Sequence, residues 1–318
     1  MRKNQVASIC VLLLLISACQ PQPAIPKPEI STPFTVAKTA TPGSFAPTKT
    51  ILSVSSSPII KPASNEVPAT ATPDTRPTPK YWREWPVVPT LSDRARAILR
   101  DGIQKGNDIH SFSRIGDCQS EPAVFLGIYA SDQYSLPPKY PTLPETIRFF
   151  YPSFKRVNAT AKQGYGVSTV LSTLFNDPQM CQKGENLLDC ELRRNKPIVA
   201  FIAMGTNWQP NSSAKFEQYL RRIVDRLIED GTLPIIVTKP DNIEGNWLLD
   251  QAMSQVAYDY DLPLLNAWRS VQYLPNHGLQ KDLTYMVPTA WDERNLAALR
   301  TLDVVRQEIS SLTETAKP

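Results

Sequence analysis

Cys118 is the residue of this chain best equipped for nucleophilic chemistry. It lies in Gly116-Asp117-Cys118-Gln119-Ser120-Glu121, directly after the β-compatible run Ser111-Phe112-Ser113-Arg114-Ile115. In an α/β protein a small-residue break after such a run delivers a side chain to the carboxyl edge of the sheet, where ligands bind. Gly116 permits a tight turn, Asp117 can bond nearby backbone, and Cys118 is the nucleophile of the three. The alternative is a turn holding a small buried thiol, since cysteine packs as a small hydrophobe. A nucleophile also needs a base, and the chain has only two histidines, His110 and His277. His110 lies at the opposite end of the first strand from Cys118. His277 sits in the loop Leu274-Pro275-Asn276-His277-Gly278, either as a substitute base or as a surface imidazole without a role. Two scattered histidines and a cysteine pair without companions do not make a metal site, so no metal is expected.

Alternating elements would position that turn. Ser92 can cap a helix running to about Lys105, which Gly106 ends, with Ala95, Ile98, Leu99 and Ile103 as its apolar stripe. After the strand that ends at Gly116, the pattern predicts a helix near Glu145–Tyr151, a short strand near Arg156–Ala159 and a helix beginning around Gly166. Pro197–Met204 is one apolar run, as suits a fully buried parallel strand. Lys215–Glu229 reads as an amphipathic helix with Phe216, Leu220, Ile223, Val224 and Leu227 on one face. A strand at Leu233–Thr238, a helix at Trp247–Tyr260, a strand at Leu262–Trp268 and a terminal helix at Trp291–Leu312 complete the alternation. This order predicts a three-layer α/β/α domain with a central parallel sheet.

The amino terminus reads as an address. Arg2 and Lys3 precede an apolar stretch from Val6 to Ile16, too short to span a bilayer at roughly 20 residues per crossing but suited to a secretory signal. Leu15-Ile16-Ser17-Ala18-Cys19 resembles a bacterial lipobox, which implies a signal peptide over 1–18 and a lipid on Cys19. An ordinary signal peptide cut near Ala18 is the alternative. The mature protein is then expected outside the cytoplasm, held to the membrane by acyl chains alone. Residues 20–80 carry 13 of the 30 prolines and few large apolar residues. Such a segment buries too little surface to offset its ordering entropy, so it is expected to be a disordered tether spanning on the order of 150–190 Å when extended. The remaining stretch, 81–318, is long enough for one domain with a substantial core.

Cysteine usage follows from that address. Cys10 leaves with the signal and Cys19 takes the lipid, leaving Cys118, Cys181 and Cys190 in an oxidising compartment. Cys181 and Cys190 lie close together in a polar stretch, so the economical pairing is a local disulfide between them, and Cys118 keeps its thiol. All three reduced, or another partner for Cys118, are the alternatives. The net charge of +4 is mild and carried by no concentrated Lys/Arg tract, so nucleic acid is not an expected partner. Sugar, lipid and peptide partners stay open, and the sequence carries no signal for an oligomeric state.

The stretch from about Ala95 to Val287 resembles the SGNH or GDSL hydrolases, a superfamily of esterases, lipases and carbohydrate deacetylases on a flavodoxin-like sheet. It is most similar to a lipoprotein-borne subgroup of them. Gly116-Asp117-Cys118 stands where the family's Gly-Asp-Ser carries the nucleophile. Gly164, in Gln163-Gly164-Tyr165-Gly166, stands where the second block places an oxyanion-hole glycine, and Asn207, in Met204-Gly205-Thr206-Asn207, where the third places the other oxyanion donor. The resemblance implies that the backbone of Cys118 completes that hole, and it adds no cofactor. Trp208 follows Asn207 where the family usually has Asp. The last block, Asp-x-x-His in the family, is here Asp282-Leu283-Thr284-Tyr285, so Tyr285 replaces the general base beside Asp282.

Those substitutions alter the expected chemistry. A thiol of pKa about 8.5 is already a few per cent thiolate near pH 7, so cysteine needs its base less than serine does. Hydrolysis of the resulting thioester still needs an activated water, and a tyrosine of pKa about 10 is ionised to about one part in a thousand, a deficit of roughly 4 kcal/mol. The resemblance therefore implies a membrane-anchored ester or acyl hydrolase that is weakly active or silent, with Tyr285 or His277 handling the proton. The alternative is a non-catalytic module binding a glycan or acylated ligand, with Tyr165, Trp208 and Tyr285 as stacking surfaces. A redox role for Cys118 has no neighbouring cysteine in sequence to support it.

Overall fold

The computed structural model describes residues 76–208 and 212–315. The expected signal peptide, Cys19 and the expected tether as far as residue 75 lie outside the described residues. Residues 76–80, counted with the tether in the sequence reading, pack on the domain: the Arg76 guanidinium donates to the Tyr258 carbonyl and pairs with Asp261 at 3.0 Å.

The apolar run after Pro197 is the centre of the sheet. Strand β1 (Asp108–Gly116) pairs in parallel with β2 (Pro197–Ala203), which is buried along its whole length. Then come β3 (Leu233–Val237) and the two-residue β4 (Leu264–Leu265), giving the order β1-β2-β3-β4, all parallel. A strand covered on both faces has no polar side to alternate with, which is why β2 reads Pro-Ile-Val-Ala-Phe-Ile-Ala. Beyond the free edge of β1 lies a single parallel bridge, Gly116 to Ala161. With that rudimentary edge counted, the strand order is that of a flavodoxin-like sheet, and the switch point falls at the carboxyl ends of β1 and β2.

Helices flank the sheet, so the domain is the three-layer α/β/α arrangement that the alternation predicts. Helix α1 (Asp93–Lys105) begins where the Ser92 side chain accepts from the Ala95 N–H and ends at Gly106 with φ +80°. After β1 come two short helices, α2 (Leu143–Phe149) and α3 (Tyr151–Phe154), where one was expected; each carries a proline in its first turn. The sequence reading missed α4 (Leu187–Asn195). Asn186 caps it by accepting from the Asp189 N–H at 2.9 Å, and the disulfide from Cys181 to Cys190 ties it to the preceding loop. Helix α5 (Ser213–Asp230) buries the five apolar residues expected of it, followed by α6 (Leu248–Asp259), α7 (Ala267–Val271) and the 28-residue α8 (Pro288–Thr315). No helix among the described residues is long and apolar enough to cross a membrane.

Three expected elements differ, each for a local reason. The strand expected near Arg156–Ala159 does not form, because its backbone bonds to side chains instead of a ladder. The Arg114 guanidinium, fully buried in β1, uses five hydrogen bonds to hold Asn158 and the carbonyls of Phe125, Ser153, Phe154 and Arg156. The buried Glu191 accepts from the Ala159 N–H, Asn158 and Ser113. The helix expected from Gly166 is replaced by 3-10 turns at Thr169–Leu171 and Thr173–Phe175. There Thr169 Oγ1 accepts from the Gly166 N–H and Ser172 Oγ from the Leu174 N–H, the side-chain competition that disfavours helices in Ser/Thr-rich segments. The strand expected over Leu262–Trp268 shrinks to Leu264–Leu265, since Asn266 caps α7 by accepting from the Arg269 N–H.

Candidate active site

The turn after β1 is shaped by close backbone approach. A Cβ at position 116 would lie 2.1 Å from both the Ala203 carbonyl oxygen and Ser120 Oγ, so only glycine fits. Ser120 Oγ donates to that carbonyl at 2.6 Å, locking the turn to the end of β2. Asp117 Oδ1 accepts from the Gln119 N–H at 2.9 Å and opens the 3-10 turn Cys118–Ser120, with Cys118 at its first position. Cys118 is a thiol with 5% of its surface exposed.

Arg294 on α8, which the sequence reading did not single out, holds this turn from behind. It is 3% exposed, its Nη2 donates to the carbonyls of Gln119 at 2.7 Å and Val124 at 3.1 Å, and it stacks 4.6 Å over Phe125. Trp291 Nε1 donates to Gln119 Oε1, and Asn295 Oδ1 accepts from the Leu126 N–H. Burial pulls the Arg294 guanidinium down to about 9, while the charges of Asp117 and Cys118 oppose that fall. It is therefore still a cation at neutral pH, and a cation beside a thiol favours the thiolate. Burial pushes Asp117 up to about 7, against the Gln119 N–H that favours its charged form. Asp117 Oδ2 and Arg294 Nε are buried with no hydrogen-bond partner among the described residues, and both residues line a void of about 20 Å³, roughly one water in size.

A second charged group, also unanticipated, closes the same edge after β3. Lys239 Nζ donates to Asp241 Oδ1 and Glu244 Oε2, both at 2.6 Å, and the Lys239 N–H to Asp250 Oδ1. Burial lowers the Lys239 pKa, but Asp241, Asp250 and Glu244 outweigh it and hold it above the ordinary value; burial keeps Asp250 well above the carboxylate range. Thr206 Oγ1 reaches Asp241 Oδ2 at 3.1 Å, joining this cluster to the segment after β2. The signal in the sequence was Lys239-Pro240-Asp241 directly after an apolar strand, where charge at a sheet's carboxyl edge serves a site more often than a core.

The three blocks nearest the sheet come together. Lys162 N donates to the Gly116 carbonyl, Gln163 N to Glu121 Oε1 at 2.7 Å, and Asn207 Nδ2 to the Tyr165 carbonyl at 3.1 Å. Gly164 is exposed with φ +83°, and no α-helix follows it to add a dipole. Asn207 is exposed as well. Trp208 packs edge-on against Phe216 and Tyr219 of α5, and Tyr165 packs against the core.

The last block arrives differently. Thr284 and Met286 line the void beside Asp117 and Arg294, so this segment does reach the carboxyl edge. Asp282 is exposed, and its Oδ1 accepts from the N–H groups of Thr284 at 3.0 Å and Tyr285 at 3.5 Å, capping its own loop. Tyr285 is half-buried, with its carbonyl accepting from the Gln280 N–H. His277 is exposed at φ +53°, its Nδ1 paired with the Gln272 carbonyl at 3.1 Å, and His110 Nδ1 pairs with the Phe149 carbonyl at 3.0 Å. Neither histidine lines the void. Among the described residues the one trio of metal-ligating types is Cys181, Glu185 and Cys190, whose two sulfurs are joined in the disulfide.

No protein-family model matches the chain, and no curated protein matches it. Among solved structures it is similar to a single-residue variant of an acetyl-xylooligosaccharide esterase from a Geobacillus. That similarity has a TM-score of 0.39 and 16% identity over 60% of this chain and 93% of the other.

Proposed function

We propose that the domain is an SGNH-type acyl-ester hydrolase built on a cysteine, anchored outside the cytoplasm by a lipid on Cys19, with slow turnover. The observation that supports it most is the placement of Cys118 at the head of a turn at the switch point of a parallel sheet, against the Arg294 cation. In this reading Cys118 Sγ, as thiolate, attacks the ester carbonyl, while the N–H groups of Cys118 and Gly164 and the Asn207 amide receive the oxyanion. The carbon–oxygen bond breaks, the alcohol leaves with a proton from the Tyr285 phenol or solvent, and a thioester remains. Water then adds to the thioester, releasing the carboxylate and restoring the thiol.

Preformed thiolate removes the need for a base in the first step only. The second step has Tyr285 or His277 for its proton, a weak base in one case and an imidazole paired with a backbone carbonyl in the other. Turnover of about 10³ to 10⁴ over water is what binding and an oxyanion hole supply without a working base. Hydrolysis of a short-chain chromogenic acetate ester by the full chain, beside its Cys118→Ala variant, tests this. A rate above buffer that vanishes in the variant, with an acetyl adduct on Cys118 by mass spectrometry, supports it; equal buffer-level rates without an adduct overturn it.

One observation favours a second reading. Cys118 is 5% exposed and the void beside its turn has room for about one water, which speaks against an ester reaching the thiol and favours a non-catalytic module that binds a glycan or acylated ligand at its surface.

A further inference from the structure

Away from the Cys118 turn, a surface cleft of about 470 Å³ lies between the loop at Pro137–Tyr140, the α7 segment through Tyr273, and the outer face of α8. Its volume is within the range of about 300–1,000 Å³ typical of small-ligand sites. Lys139, Arg269 and Arg300 set three cations at its walls against one carboxylate, Glu293. That carboxylate is engaged in a hydrogen bond with the Tyr273 hydroxyl. Arg269 is anchored by donation to the backbone carbonyls of Glu84 and Trp85, which fix the guanidinium without neutralising it.

Tyr140 is half-buried against the core and backs the two cations, with the Arg300 guanidinium 4.5 Å and the Lys139 ammonium 5.2 Å from its ring centroid. Tyr273 is 69% exposed and supplies the open flat surface of the cleft. Aromatic faces pack against the C–H faces of a pyranose, and fixed cations beside them take a carboxylate through charge-assisted hydrogen bonds. No residue of β1–β4 lines the cleft, so an extended peptide would find no strand edge to pair with there.

We infer that this cleft binds an acidic oligosaccharide, with Tyr273 as the stacking surface and Lys139 and Arg300, backed by the Tyr140 ring, taking the sugar carboxylates. The site is independent of Cys118 and of any ester chemistry there. Its charge is that of a local patch on a chain with a net charge of only +4.

The test is calorimetric titration of the full chain with a galacturonic acid trimer, the neutral galactose trimer and triglutamate, at low and high salt. Arg300→Gln and Lys139→Gln are titrated beside the parent; Lys139 is exposed in a loop, so its variant keeps the fold. The expected result is binding of the uronate trimer about tenfold or more tighter than the neutral one, weakened by salt, and weakened about tenfold in either variant. Equal binding of the neutral trimer, or unchanged binding in both variants, overturns the inference. Triglutamate bound as tightly as the uronate overturns the sugar as ligand class.

Discussion

Arg294 Nη2 lies 2.7 Å from the carbonyl oxygen of Gln119, so the terminal helix holds, from within, the turn that carries Cys118. The two residues are 175 positions apart. A buried guanidinium in that place ties the Cys118 turn to α8 and sets a positive charge near the thiol.

Arg294 should therefore lower the pKa of the Cys118 thiol. In Arg294→Gln the midpoint of the alkylation-rate profile with pH is expected to rise by about one unit or more, the size of shift one opposite charge produces. Arg294→Lys should recover most of it. A small alkylating reagent followed by mass spectrometry gives the profile. A drop in thermal midpoint with an unmoved alkylation midpoint would mean that the guanidinium only braces the turn.

Asp117 makes stability depend on pH. Its folded value is raised from 3.8 to about 7, chiefly by burial, so between those values the native state holds a proton that the unfolded chain has released. Stability from this group is present below about pH 4 and falls as pH rises towards 7, by at most about 1.4 kcal/mol per unit. Asp117→Asn should remove that slope. Urea midpoints of parent and variant from pH 4.5 to 7.5 should converge at the acidic end; parallel curves would count against the raised value.

Arg114 has the clearest structural role. Replacing it by Met removes the guanidinium donor from the carbonyls of Phe125, Phe154 and Arg156, while that of Ser153 still accepts from the Arg156 N–H. A loss of at least about 3 kcal/mol is expected, because each buried acceptor left bare costs about 1–3 kcal/mol. Urea denaturation measures it, and a loss under about 1 kcal/mol would mean that water replaces the guanidinium. Arg114→Lys should recover little, as an ammonium cannot reproduce a planar fork of five donors.

The elements that were legible in the sequence are those whose signals are local. The Ser92 cap and Gly106 stop of α1, the stripe of α5 and the apolar run of β2 each state their partner or burial within a few residues, and the structure agrees with them. The pairing of Cys181 with Cys190 was legible too, from nearness and cysteine count. Elements misread are those whose backbone is satisfied by side chains, distant in one case and adjacent in another. Residues 156–159 look like a strand, yet Arg114 and Glu191 take their hydrogen bonds. The Ser/Thr-rich stretch after Gly166 favours side-chain turns over a helix.

The sequence by itself determined that a thiol follows the first strand and that the sheet is parallel. Only the tertiary structure decided what surrounds that thiol. Arg294, Asp117 and the Lys239–Asp241 pair meet at one sheet edge because parallel strands deliver their ends to the same side, and α8 returns across them. The charges of Asp241 and Arg294 bear on the protonation of Asp117, and that of Asp117 on Arg294, only where water is excluded, a property of the folded edge that no spacing along the chain encodes.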